Sequence, residues 1–94
     1  MSLPTELLAS PSRRVWEHFF CLSRIPRPPG GEEEVREYCR GLAASAGWES
    51  AQDDVGNLVL RVPGSGALAG DEALILQAHM DMVCEKDPGV EHDF

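Results

Sequence analysis

Apolar residues recur at helical spacing in two stretches of the chain, and shorter extended segments follow them. Val15, Trp16, Phe19, Phe20 and Leu22 repeat at intervals suited to one helix face, which predicts a helix with a buried stripe. Ser10-Pro11-Ser12 offers a serine cap and a proline tolerated in a first turn, and the run from Pro26 to Gly31 stops the helix near Ile25. A second helix opens on Glu32-Glu33-Glu34, where three carboxylates complement the positive end of the helix dipole. Consecutive helical residues point about 100° apart, so this cluster is read as electrostatic complement rather than as a metal site. Val35, Tyr38, Cys39, Leu42 and Ala46 form the second stripe, and Gly47 supplies a left-handed stop. Cys21 and Cys39 are expected to pack as small hydrophobes, and His18 to lie on the surface.

From Trp48 the period changes. Trp48 to Gln52 and Asn57 to Val62 read as strands flanking Asp53-Asp54-Val55-Gly56, a turn in which an aspartate bonds nearby backbone and Gly56 takes positive φ. Residues 63–70 read as a surface loop without the helix and Lys-Ser or Lys-Thr that a phosphate-binding loop needs. Ala73-Leu74-Ile75-Leu76-Gln77-Ala78 then has almost no polar alternation, which predicts a central strand covered on both faces and ending at His79. These elements define an α/β unit: two helices followed by strands of a mixed sheet, with residues 1–94 forming part of a single domain.

The end of that strand carries the candidate chemistry. Side chains alternate faces, so His79 and Asp81 point the same way and Met80 points oppositely. Ligands of open α/β sheets sit beyond the carboxyl ends of strands, where this pair falls. A neutral imidazole is a good zinc ligand, and a carboxylate on its other nitrogen fixes the tautomer. His79 is therefore the candidate metal ligand. Asp81 is its orienting partner or itself a contact to metal. The bland alternative is a chance His-x-Asp. His92 and Asp93 are adjacent, point oppositely in extended chain, and are assigned loop roles, while Cys84 is read as an ordinary packed thiol.

Charge and cysteine content narrow the class. Sixteen acidic against eight basic residues leave a formal net charge of −8, which disfavours nucleic acid or an anionic membrane as partner. Three cysteines without C-x-x-C spacing argue against a disulfide framework and suit a reducing cytoplasm. No apolar run approaches the roughly 20 residues of a membrane-spanning helix.

Four stretches, in this order, are similar to the amino-terminal part of the dinuclear zinc peptidases, and specifically to the bacterial aminoacyl-histidine (cytosolic non-specific) dipeptidases. They are Ser23-Arg24-Ile25-Pro26-Arg27-Pro28 with Glu32-Glu33, Asp53-Asp54-Val55-Gly56-Asn57-Leu58, Leu76-Gln77-Ala78-His79-Met80-Asp81-Met82-Val83, and His92-Asp93-Phe94. The third is the most specific, and Pro29-Gly30-Gly31 departs from the Ser and His often found in that loop. The resemblance implies a partial three-layer α/β/α catalytic domain in which His79 ligates one of two zinc ions and Asp81 backs it as a catalytic residue. Co2+ or Mn2+ would be close substitutes for zinc. It further implies a cytoplasmic, homodimeric parent enzyme hydrolysing Xaa-His and other unblocked dipeptides. The remaining ligands and the glutamate base are expected beyond Phe94, and the 94-residue chain is expected to be inactive alone. Two alternatives stand beside this reading: a related two-zinc deacylase or tripeptidase, and a non-catalytic acidic α/β interaction module.

Overall fold

A computed structural model describes residues 3–70 and 72–94. The element order is α1 (Thr5–Leu8), α2 (Arg13–Ser23), α3 (Glu33–Ser45), β1 (Glu49–Gln52) and β2 (Leu58–Arg61), followed by a short 3-10 turn at Gly66–Leu68. The helix count differs from the expected two, because Thr5–Leu8 forms one additional turn ahead of the serine-proline segment. At α2 the N-cap residue is Ser12, within the expected Ser10-Pro11-Ser12 segment. Ser12 makes no side-chain cap, and the Ser10 hydroxyl instead accepts the Ser12 N–H at 3.1 Å.

The best-built region is α3 with its hairpin. The helix ends in a Schellman motif: Trp48 N–H donates to Ala43 O at 2.8 Å and Gly47 N–H to Ala44 O at 3.1 Å, with Gly47 at φ 76°. The left-handed glycine turns the chain straight into β1. The strands pair antiparallel from Glu49 opposite Arg61 to Gln52 opposite Leu58. Along β2, Leu58 and Leu60 are half-buried while Val59 and Arg61 are exposed, so the period-two face packs against α3. Val35 and Ala43, both on α3, are the buried apolar residues among those described.

The turn between the strands is organised by Asp53. Its Oδ1 accepts Val55 N–H at 3.1 Å and Asn57 N–H at 2.8 Å, and its Oδ2 accepts Asn57 Nδ2 at 2.7 Å. Gly56 sits at φ 91°, as the turn reading requires. Arg36 ties this turn to the helix, its Nε donating to Gly56 O at 2.7 Å.

Three expectations are corrected. Residues 73–79 form no strand: they run without regular structure, and Leu74, Ile75 and Leu76 are 84, 86 and 88% exposed. The physical reason is partnership, since a strand exists only through a neighbouring ladder and a two-faced apolar strand needs cover on both faces. Nothing among the described residues provides either. The sheet is accordingly a two-stranded antiparallel hairpin rather than a mixed sheet, giving a mixed α/β chain. Finally, Cys21 is exposed, and so are Val15, Trp16 and Phe19 of the α2 stripe, because α2 has little to pack against. The Cα radius of gyration, 16.3 Å, exceeds the roughly 12 Å of a close-packed domain of this length.

Candidate functional site

His79 and Asp81 meet. The imidazole Nδ1 lies 3.0 Å from Asp81 Oδ1 and 2.9 Å from the Asp81 backbone oxygen. Both partners are acceptors, so Nδ1 must carry the proton and donate, and in the neutral ring the lone pair then resides on Nε2. The His79 side chain is 80% exposed and that of Asp81 34%. This half-covered carboxylate holding an exposed imidazole by Nδ1 is the arrangement that leaves Nε2 available for a metal.

The backbone at this point is held by the loop between α2 and α3. Met82 N–H donates to Arg27 O at 2.8 Å, and the Arg27 guanidinium donates in turn to Leu22 O at 2.6 Å and Ile25 O at 3.2 Å. Arg27 therefore caps a last-turn carbonyl of α2 at Leu22, ties it to the Ile25 carbonyl just beyond the helix, and fixes the loop against which the His-x-Asp segment hangs. Sequence reasoning missed this role. The available signal was an arginine between two prolines, a stretch whose backbone has few donors of its own.

The pair lines a cleft of about 560 Å³ between the hairpin, α3 and residues 77–81. Glu32, at the start of α3, and Asn57, after the Asp53 turn, line it as well. Glu32 Oε1 also accepts Gly30 N–H at 2.8 Å, which closes the proline-glycine loop. Among the described residues no three His, Cys, Asp or Glu side chains converge as a metal-binding group. His79 thus fits a zinc site as one imidazole ligand with its orienting carboxylate, short of the three protein ligands a catalytic zinc normally has.

The other candidates lie elsewhere. His18 is exposed, and its Nδ1 is 3.2 Å from the Tyr38 hydroxyl, linking α2 to α3. Partial burial, then hydrogen bonding and charge from Cys21, push the Tyr38 hydroxyl up to about 12. Burial likewise raises the Cys39 thiol, as a packed cysteine should behave. Asp53 is held below its ordinary 3.8, first by the Asn57 side chain and then by backbone N–H donors, consistent with a turn-forming carboxylate. His92 stacks edge-on against Phe94 with ring centroids 4.5 Å apart, and Lys86 Nζ donates to His92 O at 3.3 Å. Cys84 is half-buried, its Sγ 3.4 Å from Met82 O.

Comparison with known proteins finds a likeness to part of a dipeptidase-like polypeptide. Over 90 residues the chain is 34% identical to the cytosol non-specific dipeptidase of Escherichia coli (strain K12), a match covering 96% of the chain and 19% of that relative. The chain thus spans about a fifth of the relative's length. No family model and no solved structure matches it. Among the described residues no helix is long and apolar enough to cross a membrane.

Proposed function

We propose that this chain is the amino-terminal portion of a zinc-dependent dipeptidase that hydrolyses Xaa-His and other unblocked dipeptides in the cytoplasm. The observation that carries the reading is the His79–Asp81 pair, whose two acceptors on Nδ1 direct the Nε2 lone pair outward. The likeness to the E. coli dipeptidase supports the substrate class. His79 would hold one of two zinc ions through Nε2. Asp81 would orient the ring and, by accepting the Nδ1 proton, raise its basicity as a ligand. Bound zinc supplies Lewis acidity toward the scissile amide carbonyl. Further ligands, the proton-transferring carboxylate and a dimerisation surface would come from additional polypeptide, arranged in a three-layer α/β/α catalytic domain.

The test is hydrolysis by the complete enzyme of Xaa-His dipeptides, N-acyl amino acids and tripeptides, with and without chelator. Chelator-sensitive cleavage of the dipeptides is expected, with none by residues 1–94 alone. Cleavage confined to acyl amino acids would replace the reading with a deacylase. Activity in the 94-residue chain would overturn the assignment of the remaining ligands to other polypeptide.

A further inference from the structure

The carbonyl that helps hold the His79 ring and the amide held by Arg27 belong to one peptide unit. His79 Nδ1 donates to Asp81 O at 2.9 Å, while Met82 N–H, on the same Asp81–Met82 peptide, donates to Arg27 O at 2.8 Å. No peptide among the described residues is cis, and in a planar trans unit the C=O and N–H point in opposite directions. Anchoring the N–H on Arg27 therefore aims the carbonyl at the imidazole. Rotating the unit would break both bonds together. Among the described residues, this is the one backbone hydrogen bond that ties residues 72–94 to the rest of the chain.

Arg27 is itself held firmly. Pro26 and Pro28 stiffen the backbone on both sides of it. Its Nη1 donates to Leu22 O and Ile25 O, and its Nη2 lies 3.8 Å from Met82 Sδ. The same Nδ1 proton of His79 also meets Asp81 Oδ1 at 3.0 Å, so a carboxylate and a clamped peptide converge on it by separate routes.

We propose that Arg27 is a positioning residue for the zinc ligand: with its guanidinium fixed on the end of α2, its carbonyl clamps the Asp81–Met82 peptide, which keeps the proton on His79 Nδ1 and leaves Nε2 free. The role toward zinc rests on the dipeptidase reading above. The role toward the ring does not. Releasing the peptide removes one of the two acceptors on Nδ1, and one ordinary hydrogen bond corresponds to about fivefold in the ratio of Nδ1–H to Nε2–H rings.

The test uses the 94-residue chain, labelled with 13C and 15N, in solution basic enough for a neutral imidazole. Scalar coupling across the hydrogen bond, from the Met82 nitrogen to the Arg27 carbonyl carbon, reports the clamp. Long-range 1H–15N correlation reports the ring. Wild type should show the coupling, and Arg27→Ala should lose it and move the tautomer ratio about fivefold toward Nε2–H. Asp81→Ala should keep the coupling, because the clamp does not use the carboxylate. Arg27→Lys retains a donor for Leu22 O or Ile25 O without the guanidinium fork, so both signals should be intermediate. Absence of the coupling in wild type would overturn the proposal, as would an unchanged ratio in Arg27→Ala or a ratio that moves while the coupling stays. Should Arg27→Ala unfold, seen as lost amide protection in α3 and the β1–β2 ladder, Arg27→Lys decides: intermediate signals support the clamp, and wild-type values of both overturn it. Neither signal involves metal or substrate, so a failed clamp leaves the dipeptidase assay standing, and a failed dipeptidase assay leaves the clamp on the ring intact.

Discussion

Replacing Gly56 with alanine probes the contact that holds the hairpin turn to α3. Gly56 sits at φ 91°, where an L side chain is strained by about 1–2 kcal/mol. The added Cβ would also lie 2.5 Å from Arg36 Nη2 and 2.9 Å from its Cζ, so the guanidinium must move. Its hydrogen bond to Gly56 O, 2.7 Å long and half-buried, is then lost or distorted. A charged hydrogen bond contributes about 1.5–3 kcal/mol, so Gly56→Ala should cost roughly 3 kcal/mol in all. That corresponds to about a hundredfold faster amide exchange through the β1–β2 ladder, or complete loss of protection if the hairpin opens first. Hydrogen exchange on the wild type, Gly56→Ala, Arg36→Ala and the double variant separates the two causes. On the Arg36→Ala background the alanine should cost only the backbone strain, about tenfold. Unchanged ladder exchange in Gly56→Ala would refute the reasoning, and an equal cost on both backgrounds would refute the part assigned to Arg36.

Other outcomes follow from the same geometry. Arg27→Ala removes the donor to Leu22 O and Ile25 O and should destabilise the α2 end by about 1.5–3 kcal/mol, seen as faster exchange there and at Met82; unchanged exchange would contradict the anchoring role. Asp53, depressed in the folded turn, should titrate below 3.8 by carboxyl NMR. Its stabilising contribution is complete above the unfolded value and disappears as pH falls through the lower folded value, so the hairpin should loosen only in that acidic window. Tyr38 is the sole tyrosine, so absorbance should report one tyrosinate forming near 12, returning toward 10.0 in denaturant; a folded midpoint near 10.0 would contradict its placement beside Cys21.

Local chemistry was legible in the sequence wherever a single residue type decides the conformation. Gly47 had to be the left-handed stop, and Asp53 with Gly56 had to build the turn, because few other side chains satisfy those backbones. The His79–Asp81 approach was legible for a related reason: spacing of two along extended backbone brings the side chains to one face whether or not a ladder forms. The run from Ala73 to Ala78 was different. Its composition describes an environment covered on both faces, and that environment depends on neighbours the pattern does not specify. The exposed stripe of α2 and the exposed Cys21 have the same cause, since amphipathic spacing identifies the face to be covered without supplying what covers it.

The central claim, that Asp81 holds His79 with Nε2 directed outward as a ligand, is tested most directly by long-range 1H–15N correlation of the His79 ring. The measurement is made on the 94-residue chain in solution basic enough for a neutral imidazole. The three histidines are assigned by substituting His18 and His92 in turn. The account predicts a protonated Nδ1 and a pyridine-like Nε2 for His79, with that preference weakened in Asp81→Ala. A proton on Nε2 in the wild type, unaffected by Asp81→Ala, would contradict it.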